Sequence, residues 1–285
     1  MIRITHAAAA ILALASAGWA HAQSGSTFPV NGTPDARAEL HVYEGARIHV
    51  SADEVIPEGH LVVRRGRLEA VGAGAFNSGE PAVRHDLSGK EVYPSFVDLY
   101  AGWGLKKGER ARWDGKPHYE REDSEAALGW NSALHPEYDA AVAFVPDGKG
   151  AKAHRAGGFG AVVTHRQDGI VRGTAALVSL AEDAHDAVLE PRVAAWHSFS
   201  KGSSQQSYPS SLMGSIALLR QTFCDADWYG QFDAPEERNL SLEAFTAAED
   251  LPHFFAAGGW QDVLRADKVG DEFGVQYAFL GGGDA

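Results

Sequence analysis

The chain has a single cysteine, Cys224, among 285 residues. No internal disulfide can hold it, so a chain of this size must fold around an ordinary hydrophobic core. Its 45% hydrophobic residues supply the material. Cations are also scarce: 25 Lys and Arg stand against 38 Asp and Glu, a formal charge of −13. Such a surface repels phosphate backbones and anionic headgroups, which argues against nucleic acid or anionic lipid as partners. Beyond the N-terminal segment no apolar run is long enough to cross a bilayer, so no membrane span is expected. The 13 histidines and one cysteine contain no H-x-H, H-x-x-x-H or C-x-x-C, spacings that bring two ligands to one ion.

What is there begins with a leader. Met1-Ile2-Arg3 supplies a positive start, Ala7 to Ala17 a short apolar run, and Ala20-His21-Ala22 an A-x-A exit. This predicts a cleaved secretory signal over residues 1–22, a mature chain starting at Gln23 with charge −14, and a periplasmic or secreted protein. Residues 23–37 read as a linker.

From 38 to 93 short strands follow one another: Leu40-His41-Val42-Tyr43, then Arg47-Ile48-His49-Val50, then Leu61 to Arg64 turning at Arg65-Gly66 into Leu68 to Val71. Partial alternation with glycine-marked turns predicts a small β-sandwich-like domain. From 94 to 285 the texture changes to βα alternation, the sign of a parallel sheet wrapped by helices. Helices are expected over Pro146 to Ala156, Pro209 to Phe223 (Leu212, Ile216, Leu219 and Phe223 at helical period) and Trp260 to Val269. Strands are expected over Phe159 to Thr164, Ala175 to Leu180, Leu251 to Ala256 and Val275 to Leu280. The fold class is therefore α/β. A (β/α) barrel takes about 250 residues, whereas 187 follow Asp98, so the expectation is an incomplete TIM-like barrel, part of a longer polypeptide, with a shortened, open sheet as the alternative.

Gly102 to Asp139 reads as a polar loop at the C-terminal face of that barrel, a lid or partner surface. Its Lys106, Lys107, Arg110 and Arg112 face Glu120, Glu122, Asp123 and Glu125 as solvated charge.

Three ordered segments carry a family resemblance: Gly45-Ala46-Arg47-Ile48, Val62 to Gly72, and Gly89-Lys90-Glu91-Val92-Tyr93-Pro94-Ser95-Phe96-Val97-Asp98-Leu99-Tyr100-Ala101-Gly102. They resemble the amidohydrolase superfamily, especially its imidazolonepropionase-related branch, in which a β-domain runs into the barrel through G-x-x-V-x-P-G-x-I-D-x-H-x-H. The resemblance implies a divalent metal held by that H-x-H, often a carboxylated lysine, two further strand histidines and an aspartate. In this chain Tyr100 and Gly102 occupy the first two ligand positions, the next falls near Ala256 and another near Leu280 or Gly281. A phenol is a poor substitute for imidazole at neutral pH and glycine offers no ligand, so the metal site reads as degenerate.

Three residues remain as candidates for chemistry: Asp98 from the family motif, Tyr100, and His165 at the end of the second barrel strand. His165 is either a loop histidine bonded to a neighbouring carboxylate or a substrate contact. His253 falls on the opposite strand face from the ligand position, and Ser207, Ser210 and Ser211 lack a nucleophile-elbow frame.

The resemblance implies a whole polypeptide that is a metal-dependent hydrolase of non-peptide carbon-nitrogen bonds, with this segment as scaffold. It expects no cofactor in the segment itself and a metal such as zinc in a downstream domain. The partner is then a small-molecule substrate or that downstream domain. The alternatives are a non-catalytic ligand-binding or interaction module, or metal-free hydrolysis by Asp98, Tyr100 and His165.

Overall fold

A computed structural model describes residues 40–109, 115, 117–119, 128–180, 187–232 and 235–283. The expected leader and linker and the loop charges Arg110, Arg112, Glu120, Glu122, Asp123 and Glu125 lie outside them, whereas Lys106 and Lys107 are exposed. The chain divides into two compact units at Pro94 and Ser95.

The first unit holds β1 (Leu40–His49), β2 (Val55–Arg64), β3 (Arg67–Ala73), β4 (Val83–Asp86) and β5 (Glu91–Val92). Arg65 and Gly66 both take positive φ (48° and 77°), the backbone that lets a two-residue loop follow the twist of β2 and β3. The order is β3-β2-β1-β4, with β5 also on β1 and both β4 and β5 parallel to it. The described strands thus make one five-stranded sheet rather than the two facing sheets of a sandwich. Leu40, Val42 and Val62 are its buried centre.

The described strands of the second unit form a six-stranded sheet in the order β11-β10-β9-β8-β7-β6. Its strands are β6 (Phe96–Ala101), β7 (Phe159–Thr164), β8 (Val171–Ser179), β9 (Val188–Ser198), β10 (His253–Ala257) and β11 (Tyr277–Gly281). Five run parallel, but β8 is antiparallel to both β7 and β9. This corrects the simple βα alternation. Residues 165–170 are too few for a parallel crossover, which takes a dozen or more residues, so β7 can only return as a hairpin. The strand β9 was not legible either, because Pro191 and the exposed Glu190 and Arg192 break its first half.

Among the described residues five helices flank this sheet: α1 (Ala140–Ala143), α2 (Gly148–Ala156), α3 (Leu212–Tyr229), α4 (Leu240–Thr246) and α5 (Trp260–Phe273). The Asp147 carboxylate caps α2 by accepting from the Lys149 and Gly150 N–H groups, and the Ser211 hydroxyl caps α3 by accepting from Gly214 N–H. Ser211 starts α3 later than Pro209, and Ala226 and Tyr229 prolong the buried stripe of Leu218, Leu219, Thr222 and Phe223 beyond it. Gly274 closes α5 in the left-handed conformation.

Strand alternation gives the second sheet two different faces. Phe255, Tyr277 and Val171 pack with Leu218, Leu219 and Phe223 of α3 and Val269 of α5 in the largest core. The opposite face carries Tyr100, Val163, Ala175, Ala194, Trp196, Phe254 and Ala256. Among the described residues, no helix is long and apolar enough to cross a membrane.

Candidate functional site

The expected ligand positions fall on the second of those faces. Asp98 and Tyr100 are two apart on β6 and share it. Asp98 is half-buried, and its carboxylate accepts the Tyr100 N–H at 2.9 Å, a bond that shapes the local backbone. Gly102 follows just past the strand end, where a Cβ would meet the Gln167 side-chain oxygen at 3.2 Å.

Rings fill the space in front of these residues. The Tyr100 ring lies 4.9 Å from the His165 ring and 5.3 Å from that of Trp196. His165 stacks flat on Trp196 at 3.9 Å, and Phe254 stacks on Trp196 at 4.9 Å. His165 is wholly buried, and neither ring nitrogen has a hydrogen-bond partner. Burial, with the positive charge of Arg172 adding to it, drives its pKa down to about 3. It is a neutral aromatic plate at ordinary pH.

This corrects the expectation of a loop histidine bonded to a carboxylate. The neighbouring carboxylate, Asp168, is taken by others: it accepts the Ser203 N–H and hydroxyl at 2.6 and 2.7 Å and the Arg166 guanidinium at 3.0 Å. Arg166 also donates to His135 at 3.1 Å. The Glu137 carboxylate lies 3.7 Å from His135 and accepts the Ser241 hydroxyl at 2.8 Å.

Sequence reasoning missed Arg172, which enters the same cluster from β8. It is 4% exposed; its Nε donates to the Gly169 carbonyl at 3.0 Å, and its Nη1 has no partner. Burial lowers its pKa, while the Tyr100 hydroxyl beside it works the other way. The signal was available, since a lone charge inside the apolar run Ile170 to Leu180 is unusual for a buried strand.

His253 and His197 lie on the helix-facing side, with Phe255 and Tyr277. The His253 Nε2 contacts the Glu249 carbonyl at 3.2 Å and its Nδ1 the His197 Nε2 at 3.0 Å. A carbonyl only accepts, so the His253 Nε2 carries its proton, its Nδ1 accepts from His197, and the His197 Nδ1 is left as a bare lone pair. Burial holds both rings neutral.

The donor set does not suit a divalent metal. Zinc sites use about three nitrogen, oxygen or sulfur ligands. Here the four positions offer a phenol, a glycine, the apolar Ala256 packed beside Trp196, and Leu280 or Gly281. Among the described residues no three His, Cys, Asp or Glu side chains converge.

No protein-family model matches the chain, and no curated protein matches it in sequence. Solved structures do. The crystal structure of an amidohydrolase from Thermotoga maritima superposes with a TM-score of 0.67 at 19% identity, over 85% of this chain and 64% of that one. The fold is therefore of amidohydrolase type, and the chain spans about two thirds of that protein's length. A prolidase complexed with N-methylphosphonate-L-proline (TM-score 0.35, 12% identity, 81% of this chain and 59% of that one) and a Xaa-Pro dipeptidase with bound methionine (0.32, 13%, 84% and 66%) overlap too loosely to bear on the argument.

Proposed function

We propose that this chain is the exported, non-catalytic amidohydrolase-fold part of a metal-dependent hydrolase of non-peptide carbon-nitrogen bonds. It serves as scaffold, and the metal chemistry resides elsewhere in the polypeptide. The observation that supports this reading is the ring stack of Tyr100, His165, Trp196 and Phe254, in which Tyr100 occupies a position where the family resemblance, its imidazolonepropionase-related branch included, expects a metal ligand. The bond class comes from that resemblance, and the export from the leader over residues 1–22. Arg172 favours a second reading, a non-catalytic ligand-binding module, because a buried guanidinium with an unpartnered Nη1 is costly unless something accepts from it.

Two preparations test the proposal. Protein recovered from the cell envelope is expected to begin at Gln23 by intact mass, and residues 23–285 alone are expected to hold no stoichiometric zinc or manganese after dialysis. Pairing Tyr100→His with Gly102→His is expected to restore neither tight metal nor turnover of amides and cyclic amides by residues 23–285, because the later positions still lack ligands. Tightly held metal with turnover that a chelator abolishes, in the unaltered segment, would sink the scaffold reading. A retained Met1 in a cytoplasmic fraction would sink export.

A further inference from the structure

A different place in the second unit combines aromatic walls with uncommitted negative charge. A cavity of about 630 Å³ opens where α3 ends and α4 begins. Trp228 and Phe232 line it. Their ring centroids lie 4.8 Å apart with the planes at 69°, so the two rings stand as adjoining walls. They are 57% and 47% exposed, which leaves part of each ring open to solvent.

The uncancelled charge in the lining is negative. Glu236 and Glu237 line the same cavity, and neither carboxylate has a hydrogen-bond or ion-pair partner among the described residues. Arg238 also lines it, but its Nε and Nη2 donate to the two Glu243 oxygens, each at 2.8 Å. That bidentate pair cancels Glu243 and leaves Glu236 and Glu237 unanswered. No basic residue stands in the last turn of α3, so the negative end of an 18-residue helix adds to their field. The positive end of α4 is already answered by the Asn239 side chain, which accepts the Leu242 N–H, and by Glu243 in its first turn.

Such a lining selects among cations. A divalent metal needs several converging oxygen ligands, and among the described residues no three suitable side chains converge. An aromatic ring instead attracts a cation through its quadrupole, most effectively one that can shed its water. We propose that this cavity binds a quaternary or alkylated ammonium group, with its methyl groups against Trp228 and Phe232 and its charge balanced by Glu236 and Glu237. The ring stack of Tyr100 takes no part, so the proposal stands apart from the scaffold reading.

The test is isothermal titration calorimetry of the purified chain with choline chloride, and with dimethylbutanol, in which carbon replaces the nitrogen and the charge is gone. Sodium chloride at matched ionic strength is the blank. Choline is expected to bind saturably, and the neutral analogue about tenfold more weakly. Trp228→Leu, which keeps an apolar side chain and loses the ring, should weaken choline about fivefold. Pairing Glu236→Gln with Glu237→Gln should weaken it about threefold. Once choline binds, cosedimentation with phosphatidylcholine vesicles tells a lipid headgroup from a free solute. No saturable binding of choline overturns the proposal, as does equal binding of the alcohol or choline binding that Trp228→Leu leaves intact. Should Trp228→Leu fail to fold, choline binding unaltered in the paired glutamine variant overturns it equally.

Discussion

Trp196 and His197 are neighbours on β9, yet they belong to two different interiors. Trp196 turns to the face of Tyr100, His165 and Phe254, where rings stack flat and the buried nitrogens of His165 and Trp196 have no partner. His197 turns to the helix-covered face, where it donates to His253, which is anchored in turn by the Glu249 carbonyl. One face holds histidine by dispersion and shape alone, the other by hydrogen bonds. A buried histidine is therefore not by itself a sign of chemistry. Its partners decide whether it is a plate, a strut or a base.

The largest expected effect is on the stacked face. Trp196→Ala removes the ring on which His165, Tyr100 and Phe254 all rest, and should lower unfolding stability by about 3–5 kcal/mol. Urea denaturation measures it. A loss under about 1 kcal/mol would mean that the stack is incidental to the core.

Acid should act on both faces at once. The folded protein holds His165 near pKa 3 and His197 well below its ordinary value, whereas the unfolded chain titrates both near 6.5. Below about pH 6.5 the unfolded state therefore binds protons that the folded state refuses. The stability present above that pH falls by about 1.4 kcal/mol per pH unit for each such histidine, and for His165 the fall continues to about pH 3. Replacing His165 with Phe should remove one histidine's share of the slope. An acid limb of the stability curve that is unchanged in His165→Phe contradicts the assignment.

At pH 7.5 the same exchange made on the two faces should part them most clearly, although the numbers are smaller. His253→Phe leaves the His197 Nε2–H buried with no acceptor and should cost about 1–3 kcal/mol. His165→Phe sacrifices no hydrogen bond and keeps an aromatic plate, so its effect should stay within about 1 kcal/mol and can be stabilising. Equal losses in the two variants would erase the distinction drawn between the faces.

Local signals explain much of what could be read in advance. Gly66 between two alternating runs marks a hairpin because glycine takes a positive φ without steric cost, and Arg65 before it is carried into one as well. Phe159 to Thr164 is a strand by its apolar run, and the helices α3 and α5 declare themselves by period, their ends shifting only where a cap or a left-handed glycine takes over. That Tyr100 and Gly102 stand where the resemblance expects an H-x-H is likewise readable from the sequence alone.

Tertiary structure decided the rest. That β8 runs against its neighbours depends on which strands it pairs with, and pairing is settled by contacts distant in sequence. His165 changes from a loop histidine with a carboxylate to a partnerless plate because Trp196, 31 positions away, lies flat upon it, while Ser203 and Arg166 claim Asp168 first. Arg172 carries no motif. Its significance is an Nη1 without a partner, which exists only once burial has removed water and the surrounding chain has supplied no acceptor.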